Sequence, residues 1–277
     1  MAGRGEAIIQ QREDKMRIMV MSDLHCGHRG GLTPPPWHGV VGTGKREEFN
    51  RIKREAWEWY STSVEKNGPF DLVVVNGDAI DGRGEASGGT ELDVIDREEQ
   101  CEMAEFCIRE AMGKGTKVIM TYGTAYHSGK EEDWEHLIAS SVNAEKIGSH
   151  EWVSVGGSIF DFKHHVGGST IPHGRHTAIA RDALWSKLWA DSGLQPKTDV
   201  LVRSHVHYFQ YCGDPHLGLR MTTPALQVAA TKYGARRCSG LVDFGFVVFD
   251  VSKSGLAWHE VLGKVESAKP EAIVLDI

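Results

Sequence analysis

Asp23 and His25, separated by one residue, follow a short apolar run, Ile18-Met-Val-Met21. In extended chain a carboxylate and an imidazole at this spacing project to one side, where both can meet a single ion. Further apolar runs end the same way. Val73-Val-Val75 leads to Gly77-Asp78 and Asp81, and Val118-Ile-Met120 leads to Gly123-Thr124-Ala125-Tyr126-His127. The run 159–163 leads to His164-His165, and Val200-Leu-Val202 leads to Ser204-His205-Val206-His207. Mixed carboxylate and imidazole ligands suit manganese, iron or zinc rather than the all-oxygen cages of calcium. They are too many for one tetrahedral ion, and Asp78, on a tight glycine turn, can bridge two cations at roughly 3.5–4 Å. Any single pair could be a turn cap or a core histidine. Repetition at the ends of separate apolar runs is what points to metal.

The elements that must position these residues are legible from periodicity. Residues 18–21, 70–75 and 117–121 are too short and too apolar for surface helices and read as buried strands. Between them, 45–66 reads as a helix with Phe49, Ile52, Ala56, Trp59 and Tyr60 on its apolar face, followed by helices over 92–112 and 131–141. Strands alternating with helices predict a largely parallel sheet covered by helices, with ligands at the carboxyl ends of its strands. Beyond residue 150 the pattern changes. Segments 152–155 and 159–163 form a hairpin through Gly156-Gly157. A helix over 175–191 carries an apolar stripe of Ile179, Leu184, Trp185, Leu188 and Trp189. Residues 198–203 read as a strand that ends at Ser204, and strands over 226–230, 244–251 and 256–260 are expected to build a second, antiparallel sheet. The glycine- and proline-rich loop after His25 holds His28 and Trp37, the candidate substrate contacts, with Trp37 able to stack a base.

Composition sets bounds. The 277 residues, 40% hydrophobic and 25% charged, suffice for one large domain over 17–265, with a flexible N-terminal arm at 1–16 and a tail at 266–277. A net charge of -7 excludes a general nucleic-acid coat protein but not a nuclease that binds through its metal ions. Five cysteines without a CxxC pair fit free thiols in a reducing cytoplasm. No apolar run approaches a membrane span, and the first fifteen residues lack the apolar core of a signal peptide. A His-x-His amidohydrolase is excluded, because the chain lacks eight strand–helix repeats.

Asp23-x-His25, Gly77-Asp78-x-x-Asp81, Gly123-Thr124-x-x-His127, a later His and Ser204-His205-x-His207 resemble the calcineurin-like metallophosphoesterases. The motifs of that family run D-x-H, G-D-x-x-D, G-N-H-(D/E), H and G-H-x-H. The resemblance, over about 17–210, implies an α/β fold, a four-layer α/β/β/α sandwich of the metallophosphoesterase type. It implies two divalent transition-metal ions, manganese favoured and iron or zinc possible. Asp23, His25, Asp78 and His207 would hold the first, and Asp78, His164 and His205 the second, with His165 an alternative to His164. Two departures stand out: Ser204 replaces the family's Gly, and Thr124 stands where its ligating Asn would be, able to offer only a hydroxyl. His127, with Asp81 beside it in the catalytic set, becomes the acid that protonates the leaving oxygen or a ligand of the second metal. The expected activity is hydrolysis of a phosphodiester, nucleotide or nucleic acid, by metal-activated water. A phosphomonoesterase, or a degenerate binding protein similar to the retromer subunit of this family, is the alternative. No membrane partner is expected, and the oligomeric state is left open.

Overall fold

The computed structural model describes residues 15–39, 45–129, 133–228 and 242–269, together with 272 and 274. The first strand, β1 (Lys15–Met21), shows why its apolar run has no polar alternation. Met19 and Met21 face one core and Ile18 and Val20 face another, so all four are fully buried. The first core is completed by Ile52, Ala56 and Tyr60 of α1 (Lys45–Asn67), Met103, Ala104 and Cys107 of α2 (Arg97–Glu110), and Ile138 and Ala139 of α4 (Trp134–Ser141). A one-turn helix, α3 (Ala125–Ser128), precedes α4.

Six strands form the first sheet, in the order β11 (Gly255–Gly263), β10 (Phe244–Ser252), β1, β2 (Leu72–Asn76), β3 (Lys117–Thr121), β4 (Lys146–Gly148). β1 to β4 are parallel, and β10 pairs antiparallel with β1. The second sheet has the order β5 (Glu151–Val155), β6 (Ser158–Phe162), β7 (Val200–Arg203), β9 (Gly218–Thr222), β8 (Gln210–Asp214). β6, β7 and β9 are mutually parallel within it. Phe160, Phe162, Val200 and Val202 pack on Ile18, Val20, Leu72 and Val74 between the sheets, while Leu201 faces Ile179 and Ala183 of α5 (Arg175–Asp191). The layers are therefore α/β/β/α.

Several expectations change. The C-terminal hairpin joins the first sheet, because both faces of β10 are apolar: Phe246 and Val248 enter the helix-side core, Val247 and Phe249 the core between sheets. The second sheet is mixed rather than antiparallel. Over 226–228 no strand forms; Leu226 N–H donates to the Ser22 carbonyl at 3.1 Å and Val228 N–H to the Gly30 carbonyl at 2.7 Å. Residues 229 and 230, and Cys238, lie outside the described residues. The helix expected from 92 starts at Arg97, where Asp96 accepts the Glu99 N–H at 3.0 Å and caps it. Of the expected arm, 1–14 lie outside the described residues, and Lys15 and Met16 belong to β1. The expected tail begins with a turn at Glu266–Ala268 whose N–H groups bond to Glu55 of α1.

α5 is rotated from its expected orientation. Ile179, Ala183 and Ser186 face inward, and Leu184, Trp185, Leu188 and Trp189 remain 40–50% exposed. Charge accounts for the rotation: Asp182 pairs with Lys163 and with Arg203, which is 1% exposed. Arg203 also donates to the Asp161 carboxylate at 2.7 Å and to its carbonyl at 2.9 Å. Among the described residues no helix is long and apolar enough to cross a membrane.

Replacing Arg203 by Met keeps volume but takes the guanidinium from the buried Asp161, leaving it His150, Ser186 and Thr198 as partners. Urea unfolding should show a loss of about 3–5 kcal/mol, the usual cost of breaking one side of a buried ion pair. A loss below about 1 kcal/mol, the scale of a surface pair, would show that the network is solvated.

Candidate metal centre

The loops that leave β1 and β2 continue to pair after the strands end. Asp23 N–H donates to the Gly77 carbonyl at 3.0 Å and His25 N–H to the Asp78 carbonyl at 3.1 Å. The backbone here is not extended, contrary to the spacing argument. Asp23, His25, Asp78, His205 and His207 all have left-handed φ, between 45° and 73°. Non-glycine residues held in that region cost of order 1–3 kcal/mol each, a burden usually found at functional sites. The turns are what bring the side chains together.

Nε2 of His207 lies 3.1 Å from Asp23 Oδ1, and Nε2 of His25 and of His164 each lie 3.9 Å from the same oxygen. The His25 and His207 Nε2 atoms approach each other to 3.2 Å. His164 Nε2 is 2.9 Å from Asp78 Oδ2, and its Nδ1–H donates to the Asn76 carbonyl at 2.7 Å. Three groups have ligand atoms within 4.8 Å of one another: Asp23, His25 and His207; His25, Asp78 and His127; Asp78, His164 and His205. His165 is exposed and belongs to none of them. Asp23 Oδ1 is buried without a hydrogen bond while ring nitrogens surround it, the arrangement of a carboxylate suited to a cation.

Electrostatics agree. Burial opposes ionisation of Asp23, but the His207 and His164 rings overcome it and hold the carboxyl below its usual range. Asp78 is likewise held well below, by His164 and His127 against the cost of burial. Burial pushes His25 down and His205 down to about 4, leaving neutral rings with lone pairs to offer. Burial also opposes protonation of His164, yet Asp78 and Asp23 raise it to about 10.

The sequence profile of calcineurin-like phosphoesterases matches residues 16–218. The chain belongs to that family. No curated protein matches the chain. Similar solved structures include a single mutant of Vps29 from Entamoeba histolytica, with 11% identity and a TM-score of 0.44, covering 90% of this chain and 100% of that one. A predicted phosphoesterase from Streptococcus pneumoniae has 11% identity and a TM-score of 0.41, covering 90% of each chain. A novel archaeal phosphodiesterase has 14% identity and a TM-score of 0.41, covering 89% of this chain and 100% of its own.

Within this family member the remaining expected residues orient the clusters. The Asp81 carboxylate lies 3.0 Å from His25 Nδ1, which turns His25 Nε2 toward Asp23, and the Asp81 carbonyl takes the Nδ1–H of His127 at 2.8 Å. Thr124 donates its N–H to Asp78 Oδ1 at 2.7 Å and directs its hydroxyl to the same carboxylate. Two glycines permit this crowding: a Cβ on Gly77 would lie 2.5 Å from His164 Nδ1, and one on Gly123 2.1 Å from Asp78 Oδ1. Ser204, at the family's Gly position, links Asn76 and Thr223 at 2.7 Å each. Trp37 and His28 lie outside the clusters. Trp37 donates to Glu99 at 3.0 Å and packs on Phe106, which leaves its ring engaged with α2 rather than free to stack a base.

Glu135 is the residue that sequence reasoning missed. It is fully buried, and its two oxygens accept Ala79 N–H at 2.9 Å and Gly123 N–H at 2.6 Å, joining the Asp78 loop to the Thr124 loop. Burial and the Asp78 charge raise it to about 7. Its signal was the spacing to Ile138 and Ala139, three and four residues on, masked by the acidic run before it.

Glu135→Gln leaves one acceptor oxygen for two N–H groups. Manganese titrated into the stripped variant, followed by electron paramagnetic resonance, should bind about tenfold more weakly at the Asp78, His164 and His205 group, in the range for outer hydrogen-bond partners of ligands. The Asp23, His25 and His207 group should change less, and equal weakening of these two groups would exclude a role for Glu135 in holding the Asp78 loop. His164 makes a pH prediction. Its folded value, about 10, exceeds that of a free imidazole, so its proton stabilises the metal-free fold fully below about pH 6.5 and the contribution is lost as pH rises through about 10. Calorimetry at pH 7.5 in buffers of different ionisation enthalpy should therefore record about one proton released on cation uptake. No release would mean that His164 is neutral in the metal-free protein.

Proposed function

We propose that the chain hydrolyses a phosphodiester, preferably of a nucleotide or nucleic acid, at a centre of two divalent transition-metal ions, manganese above iron or zinc. The observation that carries this reading is the place of Asp78, whose carboxylate belongs to one cluster with His164 and His205 and to another with His25 and His127. Asp23, His25, His207 and Asp78 would hold one cation, and Asp78, His164 and His205 the other. When bound, the pair supplies Lewis-acid chemistry, neutralising phosphoryl charge and making water acidic enough to attack near neutral pH.

The chain's own side chains bind, orient and move protons. Asp81 positions two imidazoles, through its carboxylate and its carbonyl. Thr124 steadies Asp78 instead of replacing the family's Asn as a ligand, consistent with its bonds to that carboxylate. His127 has Nδ1 committed to a carbonyl, which leaves Nε2 to carry the proton for the leaving oxygen. Free, buried Cys26, Cys101 and Cys107 fit a cytoplasmic setting.

Turnover of bis-p-nitrophenyl phosphate with manganese tests the reading, with p-nitrophenyl phosphate as the monoester control. Asp78→Asn should lower turnover by more than about a hundredfold, beyond what loss of an outer partner costs. His127→Ala should lose about a hundredfold or more on dinucleotides and little on p-nitrophenyl esters, whose leaving group departs without a proton. An equal loss on both with full metal occupancy would remove His127 as the acid.

A further inference from the structure

The β-turn that follows His25 leads into a second feature, a cavity of about 350 Å³ lined by residues outside the metal clusters. His28 N–H donates to the His25 carbonyl at 3.0 Å, and such a turn keeps its end Cα atoms within about 7 Å. The volume lies in the range of small-molecule sites, roughly 300–1,000 Å³. α1 contributes Phe49 and Lys53, the loop contributes His28, Arg29 and Trp37, and the segment before α2 contributes Asp93.

The polar groups of this cavity are biased toward donors. Lys53 is 5% exposed, and its ammonium pairs with Asp93, whose side chain is 41% exposed and thus hydrated at the rim. A lysine this buried is rare without full compensation. Arg29 stands over the Phe49 ring at 5.0 Å and donates to the carbonyls of Glu91 and Thr90, which satisfy its N–H groups without cancelling its charge. His28 is 3% exposed, and its Nδ1 accepts the Gly30 N–H at 3.0 Å, so the ring proton sits on Nε2. That buried Nε2–H has no hydrogen-bond partner among the described residues. Among the lining residues two cations, Lys53 and Arg29, stand against one rim carboxylate, Asp93, which favours an anionic, acceptor-rich group.

We propose that this cavity is a subsite for a second phosphate of the substrate, carried one nucleoside away from the phosphate that reacts at Asp78. The inference rests on the phosphodiesterase reading and narrows it to nucleotide esters with a flanking phosphate. Lys53 and Arg29 supply the charge, and Trp37, Val94 and Met103 an apolar wall for the sugar.

Two chromogenic esters test it: thymidine 5′-(p-nitrophenyl phosphate), and the same ester with a 3′-phosphate. The wild-type KM should be about tenfold lower for the 3′-phosphorylated ester, the scale of one charge-assisted contact. Lys53→Met should bring the two KM values together. Asp93→Asn, which relieves Lys53 of its rim partner, should widen the gap. A variant that only disturbed packing would move both KM values alike and keep their ratio. Equal KM values in the wild type, or an unchanged ratio in Lys53→Met, would overturn the subsite. If neither ester nor bis-p-nitrophenyl phosphate is turned over, the phosphodiesterase reading fails, and a separate measurement judges the cavity. Thymidine 3′,5′-bisphosphate titrated calorimetrically into metal-stripped protein should bind where thymidine does not, and Lys53→Met should abolish the binding. No binding, or binding unchanged in the variant, would overturn the proposal on that arm too.

Discussion

Asp23 and Asp78 are carboxylates with 0% and 1% exposure, and among the described residues neither has a lysine or arginine partner. A buried anion without compensating charge is strongly disfavoured. Here only imidazoles are near enough, and burial keeps His25 and His205 neutral. Charge balance in the metal-free protein therefore leans on His164, raised to about 10 by the two carboxylates it touches. A divalent cation would do the same work better, because it would replace a proton with two charges and give the bare oxygen of Asp23 a partner. The rest of the centre is arranged around that requirement.

The arrangement holds because the two sheets are tied at the carboxyl ends of their strands as well as packed along their faces. Ser22 contacts Thr223 at 2.7 Å, Thr223 contacts Ser204, Ser204 accepts from Asn76, and Asn76 accepts from Thr121 at 2.8 Å. This buried chain runs from the end of β1 through the second sheet to the end of β3. It gives Ser204, where the family has glycine, a structural reason to be there. The side chain spends its hydroxyl on the seam between the sheets. With the seam fixed, five ligand-type residues can be kept at left-handed φ. Their strain is supported by surrounding packing and by backbone pairing that continues past the strand ends.

The loop after β3 departs most from the family, and there the fold compensates. Thr124 does not imitate the absent Asn; it bonds to Asp78. Glu135 then ties the Asp78 loop to Gly123 from beneath, through two backbone N–H groups. Thr124 and His164 bond to Asp78 and two backbone N–H groups bond to Glu135, which hold the two carboxyls in place while burial and the Asp78 charge raise Glu135. Loop geometry that the family assigns to a ligand is maintained here by a residue that cannot reach a cation without releasing its backbone partners.

The sequence by itself determined the family, the strand-end placement of Asp23, His25, Asp78, His127, His164, His205 and His207, and the parallel half of the first sheet. These follow from local pattern: short apolar runs, helical periodicity between them, and ligand-type residues just past each run. Tertiary structure decided the rest. Whether His164 or His165 turned inward depended on which ring could reach the Asn76 carbonyl and Asp78, both far away in sequence. The membership of β10 in the first sheet depended on two cores that no local window contains. The outward stripe of α5 depended on Asp182 meeting Arg203 and Lys163. Glu135 looked like one more solvated acid in an acidic run until two distant loops supplied its partners. Periodicity reports which face of an element is apolar, but a buried charge chooses its orientation by its counter-ion, and that partner is brought near only when the chain folds.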